Sequence, residues 1–87
     1  MANIKIKVTL YEGYRGAERP TSFLFEGNTV QVIHIQQTWV EEEHKTRAQK
    51  RFFVVRGSDR YVYRLYCDLG SGEWFYESRE RDTSDLN

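Results

Sequence analysis

The side chains in this sequence best equipped for chemistry are cations and aromatic rings, and they fall together. Between residues 45 and 64, Lys45, Arg47, Lys50, Arg51, Arg56, Arg60 and Arg64 stand against Asp59 alone, in a chain whose 13 basic and 13 acidic side chains otherwise cancel. If Tyr61, Tyr63, Leu65 and Cys67 turn inward, period-2 alternation sets Lys50, Phe52, Val54 and Arg56 beside Arg60, Val62, Arg64 and Tyr66 on the opposite face. Nucleic-acid surfaces use that mixture: cations neutralise phosphates, while ring faces stack on bases for about 1–3 kcal/mol each. The candidate nucleic-acid-binding residues are therefore Lys50, Arg51, Phe52, Arg56, Arg60, Arg64 and Tyr66. A structural use of the same residues competes with this one. An arginine on a sheet pairs with a carboxylate on the next strand for about 0.2–1 kcal/mol, and Glu73 and Glu77 lie where such a strand would run. The two readings differ in whether those glutamates neutralise the arginines or leave them to a ligand.

Other reactive side chains lack supporting patterns. His34 lies among Val32, Ile33 and Ile35, where a half-buried sheet histidine is expected and no acid stands at a catalytic spacing. His44 adjoins Glu41, Glu42 and Glu43, but a metal site needs ligands converging from more than one flexible loop. Gly70-Ser71-Gly72 lacks the lysine and the helix of a phosphate loop and reads as a hairpin turn. Cys67, the single cysteine, excludes an internal disulfide and fits a reducing compartment; on a core face its thiol acts as a small hydrophobe. We expect neither an enzyme, a cofactor nor a metal.

The elements that must position these groups are strands. Ile4, Ile6, Val8 and Leu10 alternate with Lys5, Lys7, Thr9 and Tyr11, the signature of a strand with one wet face. That pattern is neither a signal peptide nor a membrane span, so a cytoplasmic protein is expected. Residues 12 to 22 hold two glycines and the sole proline and read as a loop. Phe23 to Phe25 form a short strand, and Glu26-Gly27-Asn28 a turn, because Gly27 and Asn28 both tolerate positive φ. Val30, Val32, Ile33 and Ile35 make the next strand, in which the adjacent Val32-Ile33 pair implies a bulge. Trp39 and Val40 extend it, and Glu41 to Thr46 form a loop.

Two turns, Gly57-Ser58-Asp59 and Asp68 to Gly72, then join three strands between Arg51 and Tyr76 into consecutive hairpins. The sequence predicts an all-β domain of five to six strands over residues 1 to 78, an antiparallel meander closing into a small barrel of the SH3-like kind, followed by a disordered polar tail over 79 to 87. Closure would remove exposed strand edges.

Phe23-x-Phe25-x-Gly27, Val30-x-Val32 through Ile35, Trp39, Arg51-Phe52-Phe53-Val54-Val55, and Tyr63-x-Leu65-x-x-Asp68-Leu69-x-Ser71-Gly72-x-Trp74 together resemble a family of small bacterial domains of unknown function. The resemblance spans about residues 15 to 76. In some members it implies a gene neighbourhood with Y-family polymerase-like and error-prone polymerase genes, and so a role near DNA repair. The positions carried over are Trp39, Asp68 and Trp74. Packing explains both tryptophans, and a side-chain acceptor that starts a turn explains Asp68. Relatives with a more basic or tryptophan-rich connector differ from this chain, which places Glu41, Glu42 and Glu43 there.

The expected function is that of a small binding module, with weak nucleic-acid binding through the basic and aromatic face as the leading form. The alternative is a protein-interaction adaptor or homodimerising domain that docks through a strand edge or aromatic patch without touching nucleic acid. Nucleic acid or a nucleic-acid-processing protein is the expected partner, and no membrane is.

Overall fold

The structure, a computed structural model, describes residues 3–11 and 19–83. Six antiparallel strands in sequential order close into a barrel. They are β1 (Ile4–Tyr11), β2 (Arg19–Phe25), β3 (Asn28–Glu42), β4 (Gln49–Gly57), β5 (Tyr61–Asp68) and β6 (Trp74–Arg81). Among the described residues no helix is long and apolar enough to cross a membrane.

Closure depends on two strands that change partners along their length. β1 pairs through Ile4–Ile6 with β6 and through Lys7–Tyr11 with β2. β3 pairs through Asn28–Gln31 with β2, and from Val32 onward with β4. Its register slips at Ile33 and again at Gln36. An extra residue bends a strand and raises its twist, so these two bulges turn β3 out of one sheet and into the other. The bulge expected at Val32-Ile33 is present, with Ile33 the extra residue and 56% exposed.

The core is the inward row of every strand. Ile6, Phe23, Phe25, Val30, Phe53, Val55, Tyr63, Leu65, Cys67 and Trp74 form one buried cluster, with Tyr61 and Tyr76 packed against it. Tyr63 meets Phe23 edge-on at 4.8 Å between centroids and Phe25 at 5.6 Å, the geometry that ring quadrupoles favour. The expected inward set on β5 is thus correct, with Tyr61 at its half-exposed end.

Several expectations about the elements need correction. β2 begins at Arg19, and it absorbs Pro20 because the register slips between Thr9 and Leu10, opposite that proline; irregular pairing tolerates a residue without an N–H. Residues 12–18 of the expected loop lie outside the described residues. At the β2–β3 turn the positive φ values belong to Glu26 (51°) and Gly27 (82°), because Phe25 and Asn28 already pair and leave a two-residue turn. β3 continues through Glu42 and β4 starts at Gln49, so Glu41 and Glu42 are strand residues. The described part of the tail expected from residue 79 is ordered: β6 runs to Arg81, and the Asp82 N–H donates to the Arg60 carbonyl at 2.9 Å. Residues 84–87 lie outside the described residues.

Both hairpin turns stand where expected. Asp68 opens the second through its side chain, with Oδ1 accepting from the N–H groups of Gly70 at 2.8 Å and Ser71 at 3.2 Å.

Candidate functional site

The outward face of the sheet carries a row of rings at right angles to the strands. Trp39 pairs with Phe52, Phe52 with Tyr66 and Tyr66 with Phe75 across β3, β4, β5 and β6. Centroid separations along the row are 5.3, 5.2 and 5.1 Å, with Trp39 and Phe52 within 6° of parallel. Directly opposed side chains lie about 4.5–5.5 Å apart at Cβ, so neighbouring rings cover one another. Phe52 is 5% exposed and Tyr66 6%.

Cations close this row from above. The Arg64 guanidinium lies 5.1 Å from the Trp39 ring and 5.4 Å from Phe52, and the Lys50 ammonium 5.0 Å from Tyr66. Arg64 Nε also stands 2.7 Å from Glu77 Oε1, an ion pair whose N–H is not aligned for a hydrogen bond. Glu77 is an extra residue: β6 slips register between Arg64's partner, Ser78, and Leu65's partner, Tyr76. Glu73, the other expected partner, pairs instead with Lys5 at 2.7 Å.

The seven predicted site residues are therefore divided. Lys50, Phe52, Arg64 and Tyr66 meet in the row as expected, but the rings of Phe52 and Tyr66 are covered and cannot take up a base. Arg56, also on the even row, pairs with Asp82 at 3.3 Å. Arg51 belongs to the odd row with Phe53 and Val55, and is exposed where β4 passes the end of the core. Arg60 sits in the β4–β5 turn at φ 71°, away from the row. The arginines do not form one stripe.

A second arrangement lies at one end of the barrel. The β6 slip exchanges which residues face the core, so Arg79 and Arg81, opposite Tyr63 and Tyr61, take the inward row. Arg79 Nη1 donates to the Tyr63 hydroxyl at 3.1 Å, and that hydroxyl donates to Asp59 Oδ2. The Arg79 guanidinium also lies 4.0 Å from the Tyr61 ring. Burial, reinforced by the Asp59 hydrogen bond and opposed by Arg79, pushes the Tyr63 phenol up to about 12, and the Tyr63 hydrogen bond raises Arg79 further. These contacts tie the end of β6 to the barrel.

The third feature is an open strand edge. Beyond its bulges, β3 pairs with β4 from Gln37 to Glu42 in unbroken register, and among the described residues nothing pairs with its other side. The hydrogen bonds at the loop end show which groups face out. Glu43 N–H donates to Ala48 at 2.9 Å, and the Gln49 carbonyl turns away from β3 to accept from Leu69 at 3.0 Å. Antiparallel pairs alternate, so Gln37, Trp39 and Glu41 bond to β4 while the N–H groups of Thr38, Val40 and Glu42 face the open side. The sequence marked Trp39 and Val40 as strand but held no sign of which edge a later strand would leave uncovered.

His34 lines a shallow cleft of about 370 Å³ with Arg19, Ile33 and Tyr11 where β2 and β3 separate. His44 lines another with Glu42 and Arg47. Among the described residues no group of three or more His, Cys, Asp or Glu side chains could hold a metal ion.

No family model, curated protein or solved structure matches this chain. The functional reading rests on its own residues.

Proposed function

We propose that the protein is an interaction module that takes up an extended segment of another protein by strand addition to β3. The observation that carries this reading is the open edge from Gln37 to Glu42. Three outward N–H groups and their carbonyls form a template for pairing, and the segment contains neither Pro nor Lys, residues natural edges use to prevent such pairing; its only charges are the carboxylates of Glu41 and Glu42 at its end. Val40 adds an exposed apolar side chain, 43% accessible.

The covered rings and the paired Arg56 and Arg64 weigh against direct nucleic-acid binding by the predicted row. The test is amide shift mapping on the labelled protein with three probes: a soluble peptide of alternating lysine and valine, a single-stranded oligonucleotide and a duplex. The reading expects the peptide to move the Thr38, Val40 and Glu42 resonances. Val40→Pro, which removes one outward donor and leaves the β3–β4 ladder intact, should abolish those shifts. Oligonucleotide-induced shifts at Lys50, Arg51 and Arg60 with a silent β3 edge would restore the nucleic-acid reading instead.

A further inference from the structure

We infer that the segment accepted by β3 is basic, with a lysine or arginine opposite Glu41 and another cation opposite Glu42; this rests on the strand-addition reading above. Charge is unevenly spread across the two strands concerned. The carboxylates of Glu41, Glu42 and Glu43 stand exposed on the outermost strand and its turn, while Lys50 and Arg51 lie one strand further in. Lys50 is occupied over Tyr66. A new strand would therefore meet the acidic side chains first.

The alternation of hydrogen bonds fixes what each carboxylate would face. A strand added antiparallel to β3 bonds to Thr38, Val40 and Glu42, so its residues opposite Trp39 and Glu41 occupy non-hydrogen-bonded pairs, where Cα atoms approach to about 4.5 Å and side chains are closest. Glu41 is held for that role: its Oε2 accepts from Trp39 Nε1 at 2.9 Å, leaving Oε1 for an incoming cation. The residue facing Glu41 has Trp39 as its diagonal neighbour, so the stem of a lysine or arginine can lie along the indole while its head reaches the carboxylate. On the other face Glu42 is only loosely engaged, with Arg47 Nη1 at 3.8 Å. Because the glutamates lie at the C-terminal end of β3, the basic residues belong in the first half of an antiparallel partner.

A second copy of this chain fits less well. Antiparallel self-pairing about Val40 makes the same backbone bonds, but sets Glu41 opposite Trp39 and Glu42 opposite Thr38, so no cation reaches either carboxylate.

The experiment compares two peptides of equal length on the intact protein. One carries two adjacent lysines in its first half, followed by alternating threonine and valine, so that one lysine faces each carboxylate, and the other carries glutamine at both lysine positions. The lysine peptide should bind about tenfold more tightly at low salt, the size expected of two exposed ion pairs, and the gap should close at high salt. Glu41→Gln combined with Glu42→Gln keeps the Trp39 acceptor, and should bring the two peptides within about twofold of each other by weakening only the lysine peptide. Equal binding of both peptides to the unaltered protein would overturn the basic preference while leaving strand addition standing. Binding of neither would overturn both, and concentration-dependent dimerisation through this edge would assign it to a second copy.

Discussion

Tyr63 shows how a single side chain can be both core and lock. Its ring is fully buried, yet its hydroxyl reaches the barrel end, where Asp59 accepts and Arg79 donates. Its raised pKa has a definite consequence for stability. A phenol that ionises near 12 in the folded chain and near 10 in the unfolded one contributes stability that is complete below about pH 10 and is lost as pH rises toward 12. A spectrophotometric titration should find one tyrosine ionising with the alkaline unfolding transition; ionisation of every tyrosine before unfolding would refute the assignment. Tyr63→Phe removes the hydrogen bonds to the Asp59 carboxylate and the Arg79 guanidinium, for an expected loss of about 1–3 kcal/mol in urea unfolding. Gly57, next to this network, is equally constrained. A Cβ there would lie 2.7 Å from Val30 Cγ1, 2.8 Å from Asp59 Oδ1 and 3.1 Å from Tyr63 Cε1. Val30 is β-branched and buried, so it cannot withdraw, and Gly57→Ala should cost about 1–3 kcal/mol through overpacking. An unchanged urea midpoint would show that the turn can shift away.

Among the elements, β6 separates what the sequence discloses from what it conceals. Alternation identified the inward row of β5, and turn residues located both hairpins, because each signal is local. The end of β6 gave no such signal: Ser78 to Asp82 is uniformly polar, and its order comes from partners distant in sequence, Tyr63 for Arg79 and Arg60 and Arg56 for Asp82. Strict alternation would place Ser78 and Glu80 inward, and the slip at Glu77 substitutes Arg79 and Arg81. The same slip supplies Arg64 with its carboxylate. For the same reason the outward row was legible as a set of residue types while its exposure was not, since rings that would stack on bases stack first on each other. A chain ending at Ser78 tests the role of this strand. Loss of the Arg79 contact to Tyr63 and of the Asp82 contacts to Arg56 and Arg60 should lower stability by about 2 kcal/mol or more. A tail without structural weight would leave the unfolding midpoint where it was.

For the molecule as a whole, the decisive question is how a closed barrel still presents an edge. Six sequential strands satisfy one another around the ring, but β3 is 15 residues long and its neighbour β2 stays with it only from Asn28 to Gln31. The remainder is carried outward on β4, which is itself held to β5 as far as Lys50, and the aromatic row braces this arm from Trp39 to Phe75. The open strand is therefore supported on one side by the rigid sheet, as a docking template must be. This has a signature that needs no ligand. Amide hydrogen exchange reports bonded N–H groups, so protection along β3 should alternate, with Gln37, Trp39 and Glu41 slow and Thr38, Val40 and Glu42 fast. Trp39→Ala removes the terminal ring of the row, and an aromatic pair contributes about 0.5–1.5 kcal/mol beyond its buried area. Exchange at position 39 and at Glu41 should then quicken by about three- to tenfold while Tyr63 and Leu65, inside the barrel, remain as slow as before. Uniform protection from Gln37 to Glu42 in the unaltered protein would mean that the edge is already covered, and strand addition there would have to be abandoned.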